Sequence, residues 1–203
     1  MLLLPMLLIA QVNVSVMEVV NVPIISDRPH RSKTYADVAS RLSEKDYKYV
    51  QYDQNRRSVD EITVIHEGMH MLHASLSKAG WHGFYLGDGY GIRVKIPSKA
   101  RISQIKVPAD KQTSRYRLYL VNSRKWWDKD ISYLADEALA YLAGSKVRHD
   151  LGWEKRSETI RNGKELTEFF RLGVELVEKV DPEYDTIGLR SLLEHLDNEW
   201  KKF

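Results

Sequence analysis

The chain contains no cysteine among its 203 residues. Disulfide bridges and thiolate-ligated metal sites are therefore excluded, and any metal must be bound by histidine, aspartate or glutamate. A strong charge imbalance is also missing, since the formal net charge is only +3 and basic residues are scattered among acidic ones. Charge therefore gives no indication of a nucleic-acid partner.

No apolar run in the sequence is long enough to span a membrane, which takes about 20 residues. The apolar run at residues 1–10 could be a secretory signal, but it lacks a basic start and has the large Leu8 near its end. The alternative is a buried strand, which the alternation of Val12, Val14 and Val16 supports. We therefore favour a cytoplasmic location, with secretion as the alternative if the run is a signal.

Length and composition predict one folded domain over 1–203, because 43% of the residues are hydrophobic and no repeat is present. Within it we distinguish an N-terminal strand and helix part (1–57), a central part (58–150) and C-terminal helices (151–203). The order of strands, helix, strands and helices predicts an α+β fold with a small antiparallel or mixed sheet. The oligomeric state is left open.

Helical periodicity and capping residues predict helices at 34–42, 58–79, 128–144, 157–180 and 181–203. The second of these begins with a capping box at 58–61, and the last with Asp181 and Pro182. Period-two alternation predicts a strand at 47–52 and two or three antiparallel strands between 91 and 122. The glycine-rich stretch 81–91 is interpreted as a loop.

An H-E-x-x-H motif, formed by His66, Glu67 and His70, lies on the predicted helix 58–79. Side chains four residues apart share a helix face, so both imidazoles can bind one metal ion. They flank the apolar stripe of the helix, where a metal is held firmly and a substrate can still reach it. Glu67 is rotated further from the core and can act as a general base on a metal-activated water.

The motif by itself is not decisive. With 7 His and 14 Glu in the chain, chance would produce it about 0.02 times. Ordinary histidines on a helix flank are therefore the alternative interpretation, and a third ligand is the real test of a metal site.

Geometry ranks the candidates for that ligand. His73 shares the face of the motif but lies about 10 Å along the helix from His66, so we expect it in the core or supporting a ligand. Leu76 stands where enzymes with H-E-x-x-H-x-x-G-x-x-H carry their third histidine, which excludes that class. His82 and Asp88 follow in the predicted loop and could fold back.

Glu137 is the preferred candidate, because it lies at the edge of the apolar stripe of the predicted helix 128–144. Small alanines on this helix would permit close approach of another helix. Tyr133 and Tyr141 project on the same side as Glu137, which suits an active-site wall. An ordinary surface glutamate beside an apolar stripe is the alternative.

H-E-x-x-H followed by a helix with the sequence DEALAYLAG resembles the gluzincin branch of the zincin metallopeptidases. The resemblance covers two short motifs. It implies a zincin-like domain with one Zn²⁺ per chain, bound by His66, His70 and Glu137 from two packed helices. It further implies Glu67 as general base and a peptide or protein as substrate.

The sequence departs from the best-known gluzincins because it lacks N-E-x-x-x-D around the glutamate. Asp136 precedes Glu137, and Tyr141 stands where the later aspartate would be, so no residue is assigned to orient the histidine ligands.

The resemblance also implies a group that stabilises the oxyanion formed when water adds to the carbonyl. The candidates are Tyr141, Tyr133 and His149, in that order, since a phenol or an imidazolium can donate to the developing charge. A packed aromatic or a surface histidine is the alternative for each. The hypothesis is thus a zinc metallopeptidase, with a non-catalytic zincin-like binding or regulatory module, or a metal-free fold, as alternatives.

Overall fold

The computed structural model describes residues 16–53, 55, 57–153 and 158–203. Most of the strand predicted from Val12 to Val16 lies outside these residues. The described part is an α+β fold with the following elements, in chain order: β1 (Met17–Asn21), α1 (Lys33–Ala39), α2 (Glu44–Val50), α3 (Glu61–Leu76), β2 (Trp81–Gly87), β3 (Tyr90–Lys95), α4 (Arg124–Trp127), α5 (Tyr133–Asp150), α6 (Glu158–Val180) and α7 (Ile187–Trp200).

The sheet is antiparallel, with β3 between β1 and β2. The prediction of a loop at 81–91 was wrong, because this stretch forms β2, a tight turn and the start of β3. Two of its glycines do serve the turn, where Gly87 and Gly89 have positive φ. Gly83 instead lets β2 approach the end of α3, since a Cβ there would lie 2.4 Å from Leu76 Cβ.

The first of the strands predicted between 91 and 122 is β3, but the strand predictions at 47–52 and 101–122 were wrong. Residues 47–52 fall largely within α2, whose N-cap Ser43 accepts a hydrogen bond from the Asp46 amide. Between 101 and 122 the chain forms two short 3₁₀ turns and the π-helical segment Tyr116–Asn122, which buries Tyr119 and Leu120. This segment therefore packs one side of a helical turn on the core instead of forming a strand.

Helix positions were predicted more accurately than helix ends. The N-cap of α3 is Asp60, which accepts from the amides of Ile62 and Thr63, so the predicted start at Ser58 was wrong. The predicted end near residue 79 was also too late. Helix α5 begins and ends later than predicted, and α7 begins after Thr186 instead of at Asp181.

Helix α5 occupies the centre of the described fold and packs against α3, α6, α7 and α1. Its buried residues lie all around its circumference. Helix α7 also packs against α6. Trp200 of α7 fills the space left by Gly163 of α6 and donates a hydrogen bond to Thr167 Oγ1 at 2.9 Å. In the described ranges, no helix has the length and apolarity needed to cross a membrane.

Candidate metal centre

The two histidines of the motif face α5 from one side of α3. His66 Nε2 and His70 Nε2 are 3.3 Å apart. Helix α5 brings Glu137 to the same point, with Oε2 3.7 Å from His66 Nε2 and Oε1 3.8 Å from His70 Nε2. The structure therefore brings together the three residues that the sequence predicts as ligands.

Small residues allow the two helices to come this close. A Cβ on Gly144 of α5 would lie 2.9 Å from Ile62 Cγ2 of α3, and Ala135 and Ala138 of α5 are fully buried. This close packing brings the carboxylate of Glu137 on α5 within reach of the two imidazoles on α3.

The three side chains fit a tetrahedrally coordinated zinc ion. Ligand atoms about 2.1 Å from such an ion lie about 3.4 Å from one another. The two Nε2 atoms are 3.3 Å apart here, and each lies 3.7 to 3.8 Å from one of the two Glu137 oxygens. Glu137 Oε2 is buried and has no hydrogen-bond partner among the described residues, whereas Oε1 accepts from the Tyr133 hydroxyl at 2.8 Å. A buried carboxylate oxygen without a partner is costly, and a cation at the cluster would satisfy it.

Asp136 supplies the orienting group that the sequence analysis left unassigned. Its Oδ1 lies 3.0 Å from His70 Nδ1 and also accepts from His73 Nδ1. In the neutral imidazole of His70, a hydrogen bond from Nδ1–H to this carboxylate fixes the tautomer and directs the Nε2 lone pair at the cluster. The position of Asp136 directly before Glu137 was the available signal, because adjacent helix residues diverge by about 100° and can approach the two nitrogens of one histidine from different directions.

The electrostatics of the cluster favour a cation. Burial lowers the pKa of His66 to about 3, with the neighbouring His70 acting in the same direction. Burial also lowers the pKa of His70, but the carboxylates of Asp136 and Glu137 outweigh it and raise that pKa to about 9. Burial raises the pKa of Glu137. The buried carboxyl groups of Asp136 and Glu137 create a negative electrostatic potential next to His66 and His70.

Other histidines and acids of the region take supporting positions. His73 is fully buried, and its Nδ1 is taken by Asp136. His82 lies on β2, where Nδ1 is 2.9 Å from Asp130 Oδ2 and Nε2 is 3.6 Å from Asp136 Oδ2. The group of His70, His73 and Asp136 could also hold an ion by distance, but its atoms already bond one another. Asp88 lies in the turn after β2.

Glu67 follows His66 on α3, is exposed, and lines a cavity of about 780 Å³. It accepts no hydrogen bond from the part of the chain that the structure describes. Its charge is near enough to contribute to the raised pKa of His70. The carboxylate is therefore available to a molecule that enters this cavity.

The structure brings two of the three predicted oxyanion candidates to the cluster. The Tyr141 ring meets the His66 ring edge-on, with centroids 4.7 Å apart, and Tyr133 bonds Glu137 as described. His149 is exposed in the last turn of α5, against Phe203 and about 18 Å along the helix from Glu137, so it does not join them.

Two further residues near the cluster, Tyr119 and Arg115, were not predicted from the sequence. The Tyr119 hydroxyl lies 3.4 Å from that of Tyr141, and Arg115 Cζ is 5.8 Å from the centre of the Tyr141 ring. Both belong to the stretch predicted as strands, so no local pattern placed them at the cluster.

Comparison of the chain with models of protein families, with curated proteins and with solved structures found no match.

Proposed function

We propose that the chain is a zinc-dependent metallopeptidase with a zincin-like fold, which binds one zinc ion through His66, His70 and Glu137. One observation carries the proposal: the Nε2 atoms of His66 and His70 lie 3.3 Å apart, and each lies 3.7 to 3.8 Å from one oxygen of the buried Glu137 carboxylate. These separations are close to the about 3.4 Å between ligand atoms on tetrahedral zinc.

When bound, zinc supplies a Lewis acid for the substrate carbonyl and lowers the pKa of a water to about 7. Glu67 takes the proton of the attacking water and can pass it to the leaving amine. Asp136 holds His70 in its ligating tautomer. Tyr141 is placed beside His66 to donate a hydrogen bond to the carbonyl oxygen as it gains charge.

The exposed position of Glu67 favours turnover over a non-catalytic binding module, because this base lines a cavity and has no hydrogen-bond partner among the described residues. Glu137 Oε2 is buried without a hydrogen-bond partner in the part of the chain that the structure describes, which weighs against a metal-free fold.

Zinc content and peptide cleavage of purified variants test the proposal. We expect about one zinc per chain in the wild type, its loss in His66→Ala and Glu137→Ala, and its retention in Glu67→Gln with loss of cleavage. His149→Ala is the control and keeps both properties, because this histidine lies away from the cluster. A wild type without zinc, or a Glu137→Ala variant that retains it, would contradict the proposed ligands.

A further inference from the structure

A solvent-facing stripe of α3 passes directly over the candidate centre. Thr63, Glu67 and Ala74 share one face of the helix, since their positions differ by at most 40° around its axis. Thr63 and Glu67 line the cavity of about 780 Å³, and Ala74 lines a second one of about 560 Å³ together with His70 and Glu137. The two cavities therefore lie one after the other along the helix, with Glu67 lining the first and the proposed ligands His70 and Glu137 lining the second.

The second cavity is largely apolar. The Trp127 ring stacks on the Tyr133 ring with centroids 4.5 Å apart and planes 8° from parallel. Met71, Trp81 and Ile96 complete the apolar lining. The apolar surface begins directly beside the ligand Glu137, so a side chain bound there would belong to a residue next to the bond being cleaved.

The first cavity has a mixed lining. Lys48 and Asp53 contribute charges, while Tyr49 and Tyr52 are 70% and 54% exposed at its rim. At the opposite end, Trp127 is 40% exposed at the rim of the second cavity. The two cavities together form a path along α3, and exposed side chains lie at both of its ends.

We propose that the site is that of an endopeptidase, which binds an internal stretch of extended polypeptide along α3 with a bulky apolar side chain in the second cavity. This inference rests on the proposed function. Thr63 and Ala74 are about 16 Å apart along the helix, and an extended chain of about five residues covers that length. Because Glu67 and His70 lie between the ends of this path, the substrate extends on both sides of the cleaved bond.

The test uses the zinc-loaded protein and two sets of fluorogenic peptides, one blocked at both termini and one with free termini. The residues on either side of the cleaved bond are varied one at a time among Phe, Leu, Ala and Asp. We expect cleavage of the blocked peptides, with kcat/KM at least about tenfold higher for Phe or Leu than for Asp at one of the adjoining positions.

Ala74→Trp narrows the second cavity from an exposed helix position and should lower kcat/KM for the Phe peptide at least about tenfold. The matched control is Ser75→Trp, which places the same ring on the neighbouring exposed position, outside both cavities. Binding of the Phe peptide to Glu67→Gln, measured by fluorescence anisotropy, should weaken in the same way when Ala74→Trp is added.

Three results would overturn the inference and leave the proposed function standing: cleavage only at free termini, equal rates for Phe and Asp peptides, or equal effects of the two tryptophan variants. A zinc-loaded wild type that neither cleaves nor binds any peptide of the set would overturn both.

Discussion

Replacing Asp136 by Asn tests how far the candidate centre depends on its orienting carboxylate. The substitution keeps the size of the side chain and an oxygen for His70 Nδ1, 3.0 Å away, but removes the charge. It also lets the amide turn its NH₂ group toward a histidine, which would favour the tautomer that does not ligate through Nε2. Fold and ligand set otherwise remain the same.

The expected loss follows from that hydrogen bond. A hydrogen bond to a charged group contributes about 1.5 to 3 kcal/mol and a neutral one about 0.5 to 1.5 kcal/mol. The difference of about 1 to 1.5 kcal/mol corresponds to about a tenfold weaker zinc affinity. Loss of the correct tautomer would extend the effect toward 100-fold, the upper range for groups that support metal ligands.

The assay is a zinc titration in competition with a chromophoric chelator at constant pH. Asp130→Asn is the matched control: Asp130 contacts His82 at 2.9 Å and neither His66 nor His70, so we expect its affinity within about twofold of the wild type. Wild-type affinity in Asp136→Asn, or an equal loss in both variants, would refute the assignment of Asp136 as the residue that orients the ligand.

Three further outcomes are expected. Gly83→Ala should lower the free energy of unfolding by about 1 to 3 kcal/mol, because its Cβ would lie 2.6 Å from the Leu76 carbonyl carbon; an unchanged melting temperature would contradict this. Burial raises the pKa of Glu199. Two lysines, Lys146 at 2.7 Å and Lys202, outweigh burial and lower that pKa to about 2. A carboxyl whose pKa is lowered by folding stabilises the fold above its unfolded pKa and loses this effect as pH falls toward 2, so Lys146→Met should cost about 1 kcal/mol at pH 7 and less at pH 3 in urea unfolding. The same cost at both pH values would contradict the pairing. Zinc at about 100 times its dissociation constant should raise the free energy of unfolding by about 2.7 kcal/mol in the wild type but not in Glu137→Gln.

The α+β class and the approximate positions of five helices were predictable from the sequence, because periodicity and capping are local properties. Helix ends were less so, since packing selected Asp60 over Ser58 as the cap of α3. Of the sheet, only β3 lies where a strand was predicted. Alternation at 101–122 and at 47–52 resembles that of strands, yet these residues form helical turns whose apolar side lies on the core.

For the candidate site, the sequence by itself determined the pairing of His66 with His70 and the outward position of Glu67, because one helix turn sets their relation. It also nominated Glu137, but only the tertiary structure decided that this carboxylate reaches the imidazoles, through the close contact of α3 with α5. The length of α5 by itself excludes His149, which lies about 18 Å along that helix from Glu137. The tertiary structure alone decided that Asp136 contacts His70 and His73. Such contacts depend on distances between segments far apart in the chain, which local patterns do not encode.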